Sequence, residues 1–186
     1  MMMVYVAVAL YYEAEPLIRL LGLKKNGRFD KFQVFEGRAA VLIVTGAGEI
    51  SAAAAVAYLC ASFSVSRDDI FINYGICAAG ETFSRGALYL IQSIKQQTTG
   101  RRFYPDQLFD NDFSREDLVT VPVPAVCMEG IDAPLADMEA AGVYMAAQMF
   151  FSQERMLFFK VVLDHPGGQE KEQVTPGAVR EVCGLW

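Results

Sequence analysis

Three acidic residues, Glu13, Glu139 and Asp164, stand where a carboxylate could do chemistry. Glu13 and Asp164 follow apolar runs directly, and Glu139 opens an apolar helical pattern. Paired carboxylates around one pocket suit glycosidic chemistry, in which one group protonates the leaving group and another activates water. The same positions have plainer uses. An acid in the first turn of a helix gains about 0.3–1 kcal/mol from the macrodipole with no chemistry at all. Asp164 could equally cap the turn ahead of Pro166. Position alone leaves both readings open for all three. His165 is the only histidine, so a Ser-His-Asp triad or a multi-histidine metal site would have to be built around that one residue. The cysteines at 60, 77, 127 and 183 have neither zinc spacing nor a close pair. They read as free thiols of a reducing compartment, with Cys77 a small core residue.

The elements that must position these residues alternate between strand and helix. Val4 to Leu10 reads as a strand covered on both faces, and Glu13 to Leu21 as a helix closed by Gly22. Lys31–Glu36 and Ala39–Thr45 predict a hairpin turning at Gly37-Arg38. Gly46-Ala47-Gly48 leads into an Ala-rich helix, Ile50 to Phe63; as a motif Gly-x-Gly is weak, and close strand-to-helix packing explains it as well. Ile70–Tyr74 is a strand followed by Gly75 and a small-residue turn through Gly80. Ala87–Ile94 and Leu118–Val123 are further strands, separated by a polar, aromatic loop, Lys95 to Arg115, that is a candidate functional segment. Met138–Phe151 is a buried helix, Leu157–Leu163 the last strand, and after Asp164-His165-Pro166-Gly167-Gly168 the pair Thr175-Pro176 opens a short final helix. This order predicts an α/β fold: a mostly parallel central sheet with helices on both faces, in three layers, as one domain over residues 1–186. Ligands of open α/β sheets bind beyond the carboxyl ends of the strands, where Glu13, Gly75 and Asp164 fall.

Composition narrows the partners. Of 186 residues 53% are hydrophobic and 20% charged, which points to a fully covered sheet, a subunit interface, or both. A net charge of −6 leaves no basic stripe for nucleic acid. The opening apolar run lacks a basic leader and reads as a core strand, and no stretch suits a membrane span. A cytoplasmic protein is expected.

Several blocks carry a resemblance. Ala9-Leu10-Tyr11-Tyr12-Glu13, Thr45 to Ala53, Ile72 to Gly80, Asp137-Met138-Glu139-Ala140-Ala141 and Lys160-Val161-Val162-Leu163-Asp164 resemble, in order, the signature blocks of the nucleoside phosphorylase/nucleosidase superfamily. Within it they are most similar to methylthioadenosine/S-adenosylhomocysteine nucleosidases. The resemblance implies that superfamily's three-layer fold and cleavage of a purine–ribose N-glycosidic bond, without cofactor or metal. It makes Asp164 the acid at purine N7 and Glu139 the binder of the ribose hydroxyls, with Met138 beside the sugar. Glu13 becomes the carboxylate that positions water, and Gly75, Ile76, Cys77 and Ala78, with Gly46, line the sugar–base pocket. The resembling nucleosidases pair, so that Phe103 and Tyr104 of a neighbouring copy are expected near the 5′ end.

This sequence departs from the family at Leu163, where a polar residue is usual, at Lys160, where an Arg is usual, and at Ile76. Its Val126–Ala136 segment, the base-gripping part, is short. Two consequences are expected: a greasy base pocket that separates adenine from hypoxanthine weakly, or compensation by Gln97, Arg101, Arg102 or Asp106 of the Lys95–Arg115 loop. Tyr12-Glu13 stands where phosphate users place an Arg, and a carboxylate repels phosphate, so hydrolysis is favoured. The alternatives are a phosphate-dependent phosphorylase and a non-catalytic nucleoside binder.

Overall fold

The computed structural model describes residues 2–105, 108, 111–167 and 175–184; Asp106 and Gly168 lie outside the described residues. Strand β1 (Val4–Val8) leads into helix α1 (Tyr11–Leu20), then the edge strands β2 (Lys24–Lys25) and β3 (Gln33–Glu36). β4 (Ala40–Val44) precedes α2 (Glu49–Ser62), and β5 (Ile70–Ala79) is followed by β6 (Leu88–Gln96) and β7 (Arg102–Phe103). β8 (Arg115–Thr120), β9 (Leu135–Asp137), α3 (Ala140–Ala147), β10 (Met156–Asp164) and α4 (Pro176–Cys183) complete the order.

β1 lies between β4 and β5, parallel to both, and β3 and β2 extend that side antiparallel. On the other side β5 pairs with both β10 and β9, β10 with β6, β6 with β8, and β8 with β9. The sheet therefore curls into a ring of β5, β10, β6, β8 and β9. The long pairings, β5–β10 and β6–β8, are parallel. Alternation within the apolar runs divides the core in two. Tyr5, Ala7, Val41, Ile43 and Val162 face α2 and α3, while Val6, Val8, Leu42, Val161 and Leu163 face α1 and α4. Both faces of each run are covered, which is why the runs read as continuous. Each Val, Leu and Ile among them contributes about 1.5–3 kcal/mol of burial.

Four expected elements differ, the first being the helix expected at Met138–Phe151, which is α-helical over Ala140–Ala147 with Glu139 as its N-cap residue. The small-residue turn after Tyr74 is strand: β5 continues to Ala79, because Ala78 and Ala79 pair with β9 and Ala78 with Asp164. The strand expected at Leu118–Val123 runs Arg115–Thr120, ending before Pro122, which has no amide hydrogen to donate. The Lys95–Arg115 segment is no free loop. It turns at Thr99-Gly100 and pairs back on β6 through β7.

Candidate active site

Glu13 enters from α1. Leu10, at the N-cap, has no side-chain acceptor, so Glu13 bends back and its Oε2 accepts from Leu10 N at 2.6 Å. Its Oε1 accepts from Ile76 N on β5 at 2.9 Å. Gly75 permits the approach, since a Cβ there would lie 2.9 Å from that oxygen. Glu13 is 1% exposed. Burial pushes its carboxyl above the usual range, against the Ile76 and Leu10 amides and the charge of Lys160.

Glu139 is the N-cap residue of α3. Its Oε1 accepts from Gly48 N at 2.8 Å, and its Oε2 from Met138 N at 3.3 Å. Gly48 turns the chain into α2 at φ 96°, a conformation that only glycine adopts cheaply. Burial, then the neighbouring Asp137, raises the Glu139 carboxyl to about 7, while Lys160 and the Gly48 amide oppose the rise.

Asp164 ends β10, and both of its chain neighbours are held. Arg85 Nε donates to Leu163 O at 3.2 Å, and His165 Nε2 stands 2.7 Å from Phe83 O.

These three carboxylates, from distant parts of the chain, meet at one cavity of about 260 Å³. Leu10, Ile76, Cys77, Ala78 and Met138 supply much of its apolar wall, and Pro124-Ala125 form part of its rim. Typical small-molecule sites hold about 300–1,000 Å³, so this one is compact. Among the described residues no Lys, Arg, Asn, Gln, Ser or Thr side chain lines it.

Other expected site residues lie elsewhere. Gly75 accommodates Glu13 instead of forming the wall, and Ala47 lines the cavity where Gly46 was expected. Phe103 is buried against Tyr144, rings 5.0 Å apart, and Tyr104 is exposed. Leu163 packs toward α1 and α4, so it takes no part in the greasy wall. Arg102 reaches Ser93, Asp117 and Asp132, and Arg101 lies over the Phe103 ring. Neither they nor Gln97 lines the cavity.

Sequence reasoning gave Asp137 and Lys160 no role in the site. Asp137 lines the cavity, and Lys160 Nζ lies 2.8 Å from its Oδ2. A signal for the pair does exist: a lysine inside an apolar strand must be paired, because an isolated buried charge is too costly. Among the described residues no group of three or more His, Cys, Asp or Glu is arranged to hold a metal ion, and no helix is long and apolar enough to cross a membrane.

No protein-family model matches the sequence, and no curated protein is significantly similar to it. Solved structures are. A methylthioadenosine/S-adenosylhomocysteine nucleosidase from Neisseria meningitidis, complexed with methylthio-immucillin-A, aligns over 88% of this chain and 86% of its own, at TM-score 0.72 and 20% identity. The 5′-methylthioadenosine nucleosidase of Arabidopsis thaliana aligns over 99% and 89%, at 0.76 and 17%. A futalosine hydrolase from Helicobacter pylori aligns over 99% and 94%, at 0.80 and 9%. The chain has the nucleosidase fold. Identities this low carry the fold alone; within that fold, the cavity described above is where Glu13, Asp137, Glu139 and Asp164 meet.

Proposed function

We propose that this chain is a nucleosidase that hydrolyses the N-glycosidic bond of a purine nucleoside or 5′-modified nucleoside. The observation that carries the reading is the convergence of Glu13, Glu139 and Asp164 on one cavity. Glu139 accepts hydrogen bonds from the ribose hydroxyls, with Met138 against the sugar. Asp164 donates a proton to the base as the C1′–N bond breaks, and the base leaves with the bonding electron pair. Water, oriented by Glu13, adds to C1′, and Glu13 accepts its proton. As the base departs the ribosyl group resembles an oxocarbenium ion, which surrounding carboxylates stabilise. A buried carboxyl with a raised pKa is a better base near neutral pH than an ordinary glutamate.

Water is favoured over phosphate as nucleophile because no cationic side chain among the described residues lines the cavity, while acids do. The scarcity of side-chain donors also implies that the base is read by shape, which limits discrimination to roughly 1–3 kcal/mol for a methylene-sized change. The unit of function is taken as residues 1–186, working as a homodimer in the cytoplasm. Free thiols, three buried and Cys127 exposed, suit that compartment. The test is release of free base from matched adenosine and inosine analogues, including 5′-methylthio forms, with and without phosphate. Phosphate-independent release, with less than a thousandfold preference between the bases, is expected. Turnover that strictly requires phosphate would promote the phosphorylase, and tight binding without turnover the non-catalytic binder.

A further inference from the structure

The mechanism leaves a buried ion pair beside the cavity unused. Lys160 lies inside β10 at 2% exposure, and its partner Asp137 has a fully buried side chain. Asp137 Oδ1 accepts from Thr120 Oγ1 at 2.8 Å, and Oδ2 accepts from Ala140 N at 2.8 Å. Thr120 Oγ1 accepts in turn from Ala141 N at 3.0 Å. The ion pair therefore ties β10 to the junction of β9 and α3, from which Met138 and Glu139 enter the cavity.

Stability alone does not account for such a pair. Desolvation offsets most of the attraction, and well-packed apolar side chains of similar volume often serve as well. Apolar side chains cannot put a positive charge among carboxylates. Glu13 arrives from α1, Asp137 and Glu139 from the β9–α3 junction, and Asp164 from the end of β10. Tyr74 and Cys77 on β5 and Cys183 on α4 are the other titratable groups in the surroundings. Lys160 is the cation of this set.

We propose that Lys160 is a positioning residue: it anchors Asp137, and through it Glu139, and its charge balances the two carboxylates so that Glu139 can receive both hydroxyls of a vicinal diol. The proposal deepens the nucleosidase reading and rests on it for the identity of the diol as a ribose. The electrostatics agree in direction. Burial works against the ammonium, but Asp137, Glu139 and Glu13 outweigh it and raise the Lys160 pKa. Lys160 in turn lowers both Glu139 and Glu13.

Carbon-13 NMR of the Glu139 carboxyl, recorded on the full chain, tests this with variants of opposite sign. Asp137→Asn removes the opposing charge and leaves the lysine, so the Glu139 midpoint should fall by about one unit. Lys160→Met leaves Asp137 unopposed and should raise it by about as much. Lys160→Arg should keep it near the wild-type value. A purely structural role would move the first two variants the same way, and that result overturns the proposal. If Lys160→Met fails to fold, Asp137→Asn with Lys160→Arg still decides, because an unchanged or raised midpoint in Asp137→Asn is equally fatal. The second readout is the Kd for methylthio-immucillin-A at pH 7, expected to weaken about tenfold or more in Lys160→Met and to recover in Lys160→Arg. A wild-type chain that neither binds this analogue nor cleaves nucleosides sinks the nucleosidase reading, while the Glu139 titration still decides the role of Lys160.

Discussion

Asp164 lines the cavity at the end of a strand, between the Leu163 carbonyl held by Arg85 and the His165 ring held at the Phe83 carbonyl. A group held this way should deliver a proton without reorganising. Replacing it by an amide keeps the shape and removes the proton, so Asp164→Asn should lose about 10²–10⁴ in kcat, with KM within a few-fold. Steady-state kinetics decide, and a near-normal rate would remove Asp164 from the mechanism. Glu139 makes a prediction about stability. Its carboxyl stands at about 7 in the folded chain against an ordinary value of 4.5, so the folded state holds more protons across that window. Stability from this group is complete below the unfolded value and is lost as pH rises through the folded one, at about 1.4 kcal/mol per unit of difference. Glu13 shifts in the same direction. Melting should therefore come at higher temperature at pH 5 than at pH 8, and Glu139→Gln should flatten the difference. A melting curve that is indifferent to this substitution contradicts the assignment. Position placed the three acids at element ends but left capping and chemistry equally open, and it was the resemblance that gave them roles. The pairing of Lys160 with Asp137 was not legible, since a sequence shows that a buried charge needs a partner without showing which partner the fold delivers.

Elements made of long apolar runs, such as α2 and β10, were legible to within a residue or two. Those that fail are defined by contacts distant in sequence. β9 is only Leu135–Asp137, too short for any period, and it exists because Ala78-Ala79 and Leu118–Thr120 flank it. The end of β5 resembles a turn because small residues and a glycine are common in turns, yet here they let Glu13 lie against the strand. That close approach is testable. Gly75→Ala places a Cβ 2.9 Å from Glu13 Oε1, closer than real contacts allow, so the carboxylate must leave the Ile76 amide or the strand must shift. The chain should still fold, because the rest of β5 and its partners are untouched. Hydrolysis should fall about 10²-fold, the scale of a displacement near 1 Å in a catalytic group. Retention of full kcat/KM in folded Gly75→Ala would mean that Glu13 needs no fixed position, and that its part in orienting water is wrong.

Over the whole molecule, several large apolar side chains stand exposed close in sequence to residues of the cavity. Ile50 is 87% exposed and lies three residues beyond Ala47 of the wall, while Val123 and Val126, at 65% and 86%, bracket Pro124-Ala125. Tyr104, at 61%, is held near α3, where its carbonyl faces the Tyr144 hydroxyl at 3.5 Å. Single exposed hydrophobics need no explanation, whereas a contiguous apolar patch marks a surface that something covers. A second copy is the simplest cover. It would narrow a compact, open site and place residues of one protomer at the 5′ end of the other's substrate. A stable interface of this kind buries about 1,200–2,000 Å² in total, with the largest apolar residues at its centre. Light scattering at micromolar concentration should therefore give twice the chain mass of 20.5 kDa. Ile50→Glu puts a charge into that apolar centre and should return the protein to monomers, weakening the affinity for 5′-methylthio substrates more than for plain nucleosides. A wild-type monomer would defeat the idea outright. A dimer that survives Ile50→Glu would move the interface off this surface, and the 5′ substituent would then face water.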